Sequence, residues 1–446
     1  MQTKTIRKLI GGAPRWAIAL GALALLAACG SAEVILPGER FDVRADGRAA
    51  VAPVNQTQSI SLPRQQTNAS WTHRAANPAH VLPHATFAAQ PTLRWRADIG
   101  QGNGRKHRIT ADPVAADGRI FTMDSRAGVV ATSATGARLW ATDLTRSSDK
   151  SDDASGGGLA VVDGVLYAAT GFGQLSALDA QTGALRWQQQ LGAPISGAPT
   201  ISRGQIYLMT RDSRGWVLDA ETGRLRWQVT GAPSVSGFSG GAGPAVGATL
   251  AVFAFPSSQV TATFRREGFE AWQSSVAGGR LGATYARIAD VSGPPIISGN
   301  RVYVGNAGGR TVALDLASGT RVWTAEVGAT GPAVLAGGSL FSVSDNARLV
   351  RLNARNGAQI WSVDLPGNVP VRNENRRRDI FVNHGPILAG GRIWVASSDG
   401  ALRAFDPASG LQTQQIDLGA GAATRPIVVG GVMYVVDIKG QLVALQ

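Results

Sequence analysis

Ala177-Leu178-Asp179-Ala180-Gln181-Thr182-Gly183-Ala184-Leu185-Arg186-Trp187 is one copy of a pattern, A-L-D-x-x-T-G-x-x-x-W, that recurs through most of the chain. Ala313-Leu314-Asp315, continuing through Gly319 to Trp323, is a second clear copy. Weaker copies keep only the glycine-to-tryptophan spacing: Gly136 to Trp140, Gly223 to Trp227, Gly268 to Trp272 and Gly357 to Trp361. A further copy has Gly410, with Gln414 at the tryptophan position. Successive marker positions lie 38 to 53 residues apart, which is the length of a four-stranded blade in a radial repeat.

Residues 292–327 show what one repeat encodes. Pro294 to Ile297 is an apolar run and Ser298-Gly299-Asn300 is a turn. Val302, Tyr303 and Val304 mark a second strand, Gly308-Gly309 turns again, and Arg310 to Leu314 is a third. Asp315 to Gly319 forms the last turn, before a fourth strand carrying Trp323. Glycine supplies positive φ in such turns, and Asp or Ser side chains bond back to nearby backbone. A unit of this kind cannot bury both of its faces alone, so it stacks on its neighbours.

Seven complete copies span about 112–144, 156–191, 196–231, 241–276, 292–327, 331–365 and 383–418. Residues 424–446 supply only three strands. The missing tryptophan strand stands at the other end, in Thr92-Leu93-Arg94-Trp95-Arg96-Ala97-Asp98-Ile99. The expected fold is therefore all-β. It is an eight-bladed β-propeller of four-stranded antiparallel blades over residues 92–446, closed by pairing the N-terminal strand with the C-terminal blade. Closure of this kind removes two sheet edges that would otherwise be open to aggregation. Trp95, Trp140, Trp187, Trp227, Trp272, Trp323 and Trp361 read as wedges between adjacent blades, because a marker that recurs around a ring suits packing better than one ligand-stacking surface.

The first 28 residues have the form of an export signal. Lys4, Arg7, Lys8 and Arg15 precede an apolar stretch from Trp16 to Leu26. Eleven residues are too few to cross a bilayer, which takes about 20. Leu26-Ala27-Ala28-Cys29 follows and matches a bacterial lipobox, and Cys29 is the only cysteine in the chain. Cleavage before Cys29 removes four basic residues and lowers the formal net charge from +13 to +9. A positive surface suits anionic partners such as lipid headgroups or an acidic protein face. An exported chain without an aromatic–basic motif is not expected to bind nucleic acid.

Residues 29–91 join anchor to ring. The polar, aperiodic stretch to about residue 69 reads as a flexible tether. Trp71, His73, His80 and His84 then fall within fourteen residues. Their spacing fits no helix face and no thiolate or carboxylate clusters with them, so they read as a segment packed across the propeller before its first strand rather than as a metal site.

No P-loop, G-x-S-x-G or H-E-x-x-H motif occurs. The acids of the blades, Asp179, Asp219, Asp315 and Asp406, stand at turns, and no cluster proposes the six to eight oxygen ligands that calcium needs. Neither a metal nor a cofactor is expected. The remaining candidate sites are the long connections between blades. One contains Arg105-Lys106-His107-Arg108, another Arg372 with Arg376, Arg377 and Arg378. A third zone joins 231–243 to 277–291 and brings apolar Val235 and Phe238 beside Arg287 and Asp290, the mix of apolar anchors and charged rim found in protein interfaces.

The repeat resembles that of the pyrroloquinoline-quinone propellers, a superfamily of quinoprotein dehydrogenases with a non-enzymatic branch, the BamB outer-membrane assembly lipoproteins. Lipobox, length, blade number and closure together are similar to that branch. The resemblance implies a non-catalytic lipoprotein on the periplasmic face of the outer membrane, held by acyl chains on Cys29, with no Asp following Cys29 to retain it elsewhere. It implies partners in the β-barrel assembly complex, above all the POTRA repeats of BamA. Pro233-Ser234-Val235-Ser236 and Arg287-Ile288-Ala289-Asp290-Val291 look like the strips that the family uses for that contact. Residues 30–91 are longer than the tether of the enterobacterial members. The other reading is a periplasmic quinoprotein-type dehydrogenase or small-ligand binder that uses the propeller channel.

Cys29→Ser is expected to release the protein from the membrane fraction, since each buried acyl CH₂ contributes about 0.8 kcal/mol. Retention of the variant in the membrane pellet after a high-salt wash would place the anchor elsewhere.

Overall fold

A computed structural model describes residues 54–146, 149–150, 155–234, 240–241, 243–280, 290–372 and 379–446. It is all-β, with eight antiparallel blades. Seven of them span 114–143, 157–190, 200–230, 245–275, 293–325, 334–364 and 383–417. The eighth pairs Leu93–Asp98 with Gln441–Leu445, which continues into Val432–Val436 and Ile427–Val429. The ring thus closes as the repeat count predicts.

The second and third strands of each blade have sheets on both sides and are almost wholly buried, as in Gln174–Asp179 and Gln205–Thr210. The fourth strand is outermost and alternates exposed with half-buried positions, as in Leu185–Gln190 and Leu225–Thr230. Alternation is what one wet face demands, and continuous apolar sequence is what two covered faces demand.

One joint is repeated around the ring, and it explains why glycine and tryptophan mark the repeat together. In all eight blades the third-to-fourth ladder shifts register next to the marker position, between Leu185 and Trp187 or between Arg321 and Trp323 for example. A bulge of this kind re-aims a side chain. The tryptophan then lies on the glycine of the next blade. A Cβ added at Gly183 would stand 2.7 Å from Trp140, and one at Gly319 would stand 2.5 Å from Trp272. These glycines also hold φ of +75° and +69°. The indole N–H of Trp95, Trp140, Trp187, Trp272, Trp323 and Trp361 donates to a carbonyl of that same turn, at 2.8–3.3 Å. Trp227 is the exception, with no acceptor for its N–H.

The segment before the ring is built into it. Residues 54–69, expected as a tether, instead lie along blades 6 and 7. Asn55 exchanges hydrogen bonds with Ser362, and Gln58 N–H donates to the Ala408 carbonyl. Arg351, buried in the core, donates to the Gln58 carbonyl at 2.7 Å. Such bonds recruit a polar segment without an apolar period, which is why its sequence reads as linker.

From Asn68 to Ala85 the chain then visits every blade in order. Asn68 O accepts from Gly430 N–H in blade 8, and Trp71 pairs with Ala115 in blade 1. Thr72 O accepts from Val161 in blade 2, and His73 Nε2 accepts from Ile201 N–H at 3.0 Å in blade 3. Pro78 O and Ala79 O accept from Val246 and Ile297 in blades 4 and 5. Val81 packs on the cluster shared by blades 5 and 6. His84 and Ala85 add a fifth, parallel strand to blade 7. Seventeen steps at about 3.4 Å span at most about 58 Å, so a path that touches eight blades circles close to the axis. It forms a collar across one mouth of the channel, at the hairpins between first and second strands.

The joint makes a direct prediction. Gly299 and Gly319 both have positive φ, +57° and +69°, but a Cβ at Gly299 meets nothing within 4 Å. Gly299→Ala is expected to cost about 1 kcal/mol in urea unfolding for its backbone conformation. Gly319→Ala should cost a further 1–3 kcal/mol, roughly, for the overpacked indole. Equal losses would mean that the glycine is kept for its turn and not for the tryptophan.

Candidate partner-binding site

The connections between blades leave the ring at the end opposite the collar. Two of them, 231–244 and 276–292, flank blade 4 on both sides. Val235, Ser236, Phe238 and Arg287 lie outside the described residues, as do Arg376, Arg377, Arg378 and the lipobox Cys29. Asp290 is described, and the expectation of a rim charge is corrected: it is 4% exposed, at the approach to the first strand of blade 5, and its carbonyl accepts from Ala307 N–H at 3.0 Å. A buried carboxylate cannot serve as a solvated rim. Of the basic connection 105–108, Arg105, Lys106 and Arg108 are exposed while His107 is buried. Arg372 is also exposed.

The bases of both connections are clamped. Arg74 extends from the collar and donates from Nη1 to the carbonyls of Gly240 and Gly241, each at 2.7 Å. Its Nε donates to Asp112 Oδ2 at 3.1 Å, and Asp112 Oδ1 accepts the backbone N–H of Arg425 at 2.9 Å. Burial opposes ionisation of Asp112, but Arg74 and Arg425 outweigh it and hold the carboxyl below its usual range. On the far side, Arg280 donates from Nε and Nη2 to Asp345 at 3.2 and 3.1 Å, and its backbone N–H donates to Gly308 O. Neither clamp has a motif. Both join residues 28 or more positions apart, so sequence spacing holds no trace of them.

The three collar histidines do not converge. His73 and His80 go to blades 3 and 5, and His84 to blade 7, each with ring nitrogens engaged by backbone. For His73, a neutral ring protonated on Nδ1 satisfies the Ile201 N–H and Thr72, leaving the Ile201 carbonyl, 3.1 Å from Nε2, without a donor from the ring. Nε2 accepts from Ile201, Nδ1 donates to Thr72 Oγ1 at 2.7 Å, and Thr72 donates on to the Ala76 carbonyl. Among the described residues no group of three or more His, Cys, Asp or Glu could hold a metal.

Burial pushes His73 down to about 4 and His80 down to about 3. Both rings are neutral in the fold and take up protons only on unfolding, where the ordinary value is 6.5. Stability is therefore fully present above pH 6.5 and is lost as pH falls toward the folded values. His73 alone should withdraw about 3 kcal/mol by pH 4. The melting temperature of His73→Gln should decline less between pH 7 and pH 4 than that of the parent. Parallel curves would mean that His73 does not carry the acid sensitivity.

Comparison with known proteins agrees with this architecture. A family model described as outer membrane protein assembly factor BamB matches residues 125–363 and 347–446. The BamB of Salmonella typhimurium is 30% identical over 254 residues, covering 56% of this chain and 64% of its own length. The BamB of Moranella endobia is 26% identical over 254 residues, or 56% of this chain and 66% of its own. These matches thus span just under two thirds of the relatives. The crystal structure of Moraxella catarrhalis BamB superposes with a TM-score of 0.66 at 18% identity, over 80% of this chain and all of that one. A quinohemoprotein alcohol dehydrogenase from Comamonas testosteroni superposes with a TM-score of 0.64 at 16% identity, over 84% and 80%; at such identities a superposition speaks for the fold alone. The family model matches well over half of the sequence, and the chain belongs to the BamB family of outer membrane protein assembly factors.

Proposed function

We propose that this protein is a non-catalytic scaffold of outer-membrane β-barrel assembly. It is held at the periplasmic face of the outer membrane through acyl chains on Cys29. It binds the POTRA repeats of BamA, within the wider assembly complex, through the connections 231–244 and 276–292. The observation that carries this reading is family membership together with the placement of those two connections. They flank one blade on the ring end away from the collar, and their bases are fixed by the Arg74 and Arg280 clamps. A rigid base lowers the ordering cost of binding. The dehydrogenase reading has behind it the shared fold and a sequence match to a quinohemoprotein alcohol dehydrogenase over only 26% of this chain and 18% of that protein, and fold does not carry function.

Phe238 and Arg287 are the proposed anchor and rim charge. Phe238→Ala with Arg287→Glu should weaken binding to purified BamA POTRA repeats about 30-fold, as loss of a 2 kcal/mol anchor implies. The melting temperature should change little, because surface substitutions cost about 0.5 kcal/mol or less. A double variant that melts normally and binds as tightly as the parent would move the contact to the basic connections 105–108 and 372–378.

A further inference from the structure

Blade 4 breaks the repeat at the turn between its third and fourth strands. In the six other blades with a continuous turn there, the opening residue caps it with its own side chain. These residues are Ser133, Asp179, Asp219, Asp315, Asn353 and Asp406, and each accepts a backbone N–H two to four positions on. Blade 4 has Phe264. Its backbone is unchanged: Phe264 N–H donates to Phe269 O and Gly268 N–H to Phe264 O, both at 2.8 Å, as at Asp179. The turn is kept while its cap is given up.

In place of the cap, blade 4 shows Phe264 at 46% and Phe269 at 71% exposure. The same turn also fails its neighbour. In the other joints the carbonyl three positions before the seating glycine, or two before it at Gly136, receives the tryptophan N–H. Here the matching carbonyl, on Arg265, accepts from Tyr207 Oη at 3.3 Å, and Trp227 has no acceptor. A lost cap, two exposed aromatics and an unmatched indole all work against stability. Local rules broken without a compensating gain mark functional sites.

A groove of about 670 Å³ opens beside this turn, lined by Arg186, Arg203, Arg226, Arg265 and Arg266 against Asp219 and Glu221. Arg186 pairs with Asp179 and Arg226 with Asp219. Arg265 spends its Nε on the Ala248 carbonyl. Arg203 and Arg266 are exposed and meet no carboxylate. Even after pairing, the groove is positive, with Tyr167 and Trp187 in its wall.

We propose that this groove and the Phe264–Phe269 turn form a docking surface for an extended acidic segment of a protein partner. Its carboxylates would meet Arg203 and Arg266, and an apolar side chain would lie over the two phenylalanines. A protein segment fits better than a bilayer because the free arginines line a concavity between blades, which a flat headgroup surface does not enter. The turn stands at the far end of a six-residue strand, Glu270–Ser275, from the connection 276–292, about 20 Å away. The surface is therefore separate from the proposed BamA contact and does not rest on it.

The test uses the full mature chain and a labelled peptide of about ten residues alternating glutamate with phenylalanine. A lysine-for-glutamate peptide and phosphatidylglycerol vesicles are the comparison arms, read by fluorescence anisotropy and by co-sedimentation. The acidic peptide should bind and the lysine peptide should not. Phe264→Asp restores the cap, so its melting temperature should stay level or rise by about 1–2 °C, while peptide affinity falls about 10-fold or more. Arg203→Glu with Arg266→Glu should lose affinity to a similar extent. Should Phe264→Asp prove unstable, Phe269→Ser tests the same contact at the more exposed ring. Peptide binding that survives all these changes in folded variants overturns the proposal. So does the opposite pattern, in which only vesicle binding is lost.

Discussion

Everything in this ring hangs on one contact, the tryptophan of one blade laid on the glycine of the next. Seven of the eight blades make it, and blade 7 has Gln414 at that position. The bulge beside the marker swings the indole out of its own sheet. The following blade must then present a residue without a side chain, because a Cβ there would sit 2.5–2.9 Å from the ring. A carbonyl of the same turn takes the indole N–H. One aromatic thus buries a large apolar area and spends its polar atom at the same place. Since Leu93–Asp98 belongs to the last blade, the joint from Trp95 to Gly136 binds both ends of the chain into one cooperative unit.

The collar is a second closure, of a different chemistry. It uses backbone carbonyls and neutral histidines where the blades use apolar area. Its reach of eight blades in eighteen residues ties each innermost strand to a common segment. Histidine suits this place because a neutral ring can accept from one blade and donate to the collar, as His73 does. The same choice makes the collar sensitive to acid. With one mouth covered by the chain itself, contact with other molecules falls to the connections and the turns.

A repeat protein gains function where its copies differ. Six blades share a self-capped turn, and the fourth replaces the cap with Phe264. Two of the longer connections, 231–244 and 276–292, flank that same blade. The Arg74 and Arg280 clamps hold their bases, so blade 4 is both the least regular blade and one of the most firmly braced. Unpaired guanidinium groups at Arg203 and Arg266 persist there because they remain in water, where an ion without a partner costs little.

The order of strands, the number of blades and the manner of closure were legible in the sequence because each is a local pattern repeated at a fixed interval. Turn residues, apolar alternation and the glycine–tryptophan spacing all act within a few positions of themselves. The bulge, the tautomer of His73 and the burial of Asp290 left no such mark. Nor did the path of residues 54–69, whose polar sequence reads as linker since its partners are largely backbone groups of blades 6 and 7. Periodicity alone determined that this chain makes a closed ring. Which side chains stand free on it was decided only when the ring brought distant segments together, because burial and ion pairing depend on neighbours that sequence spacing does not record.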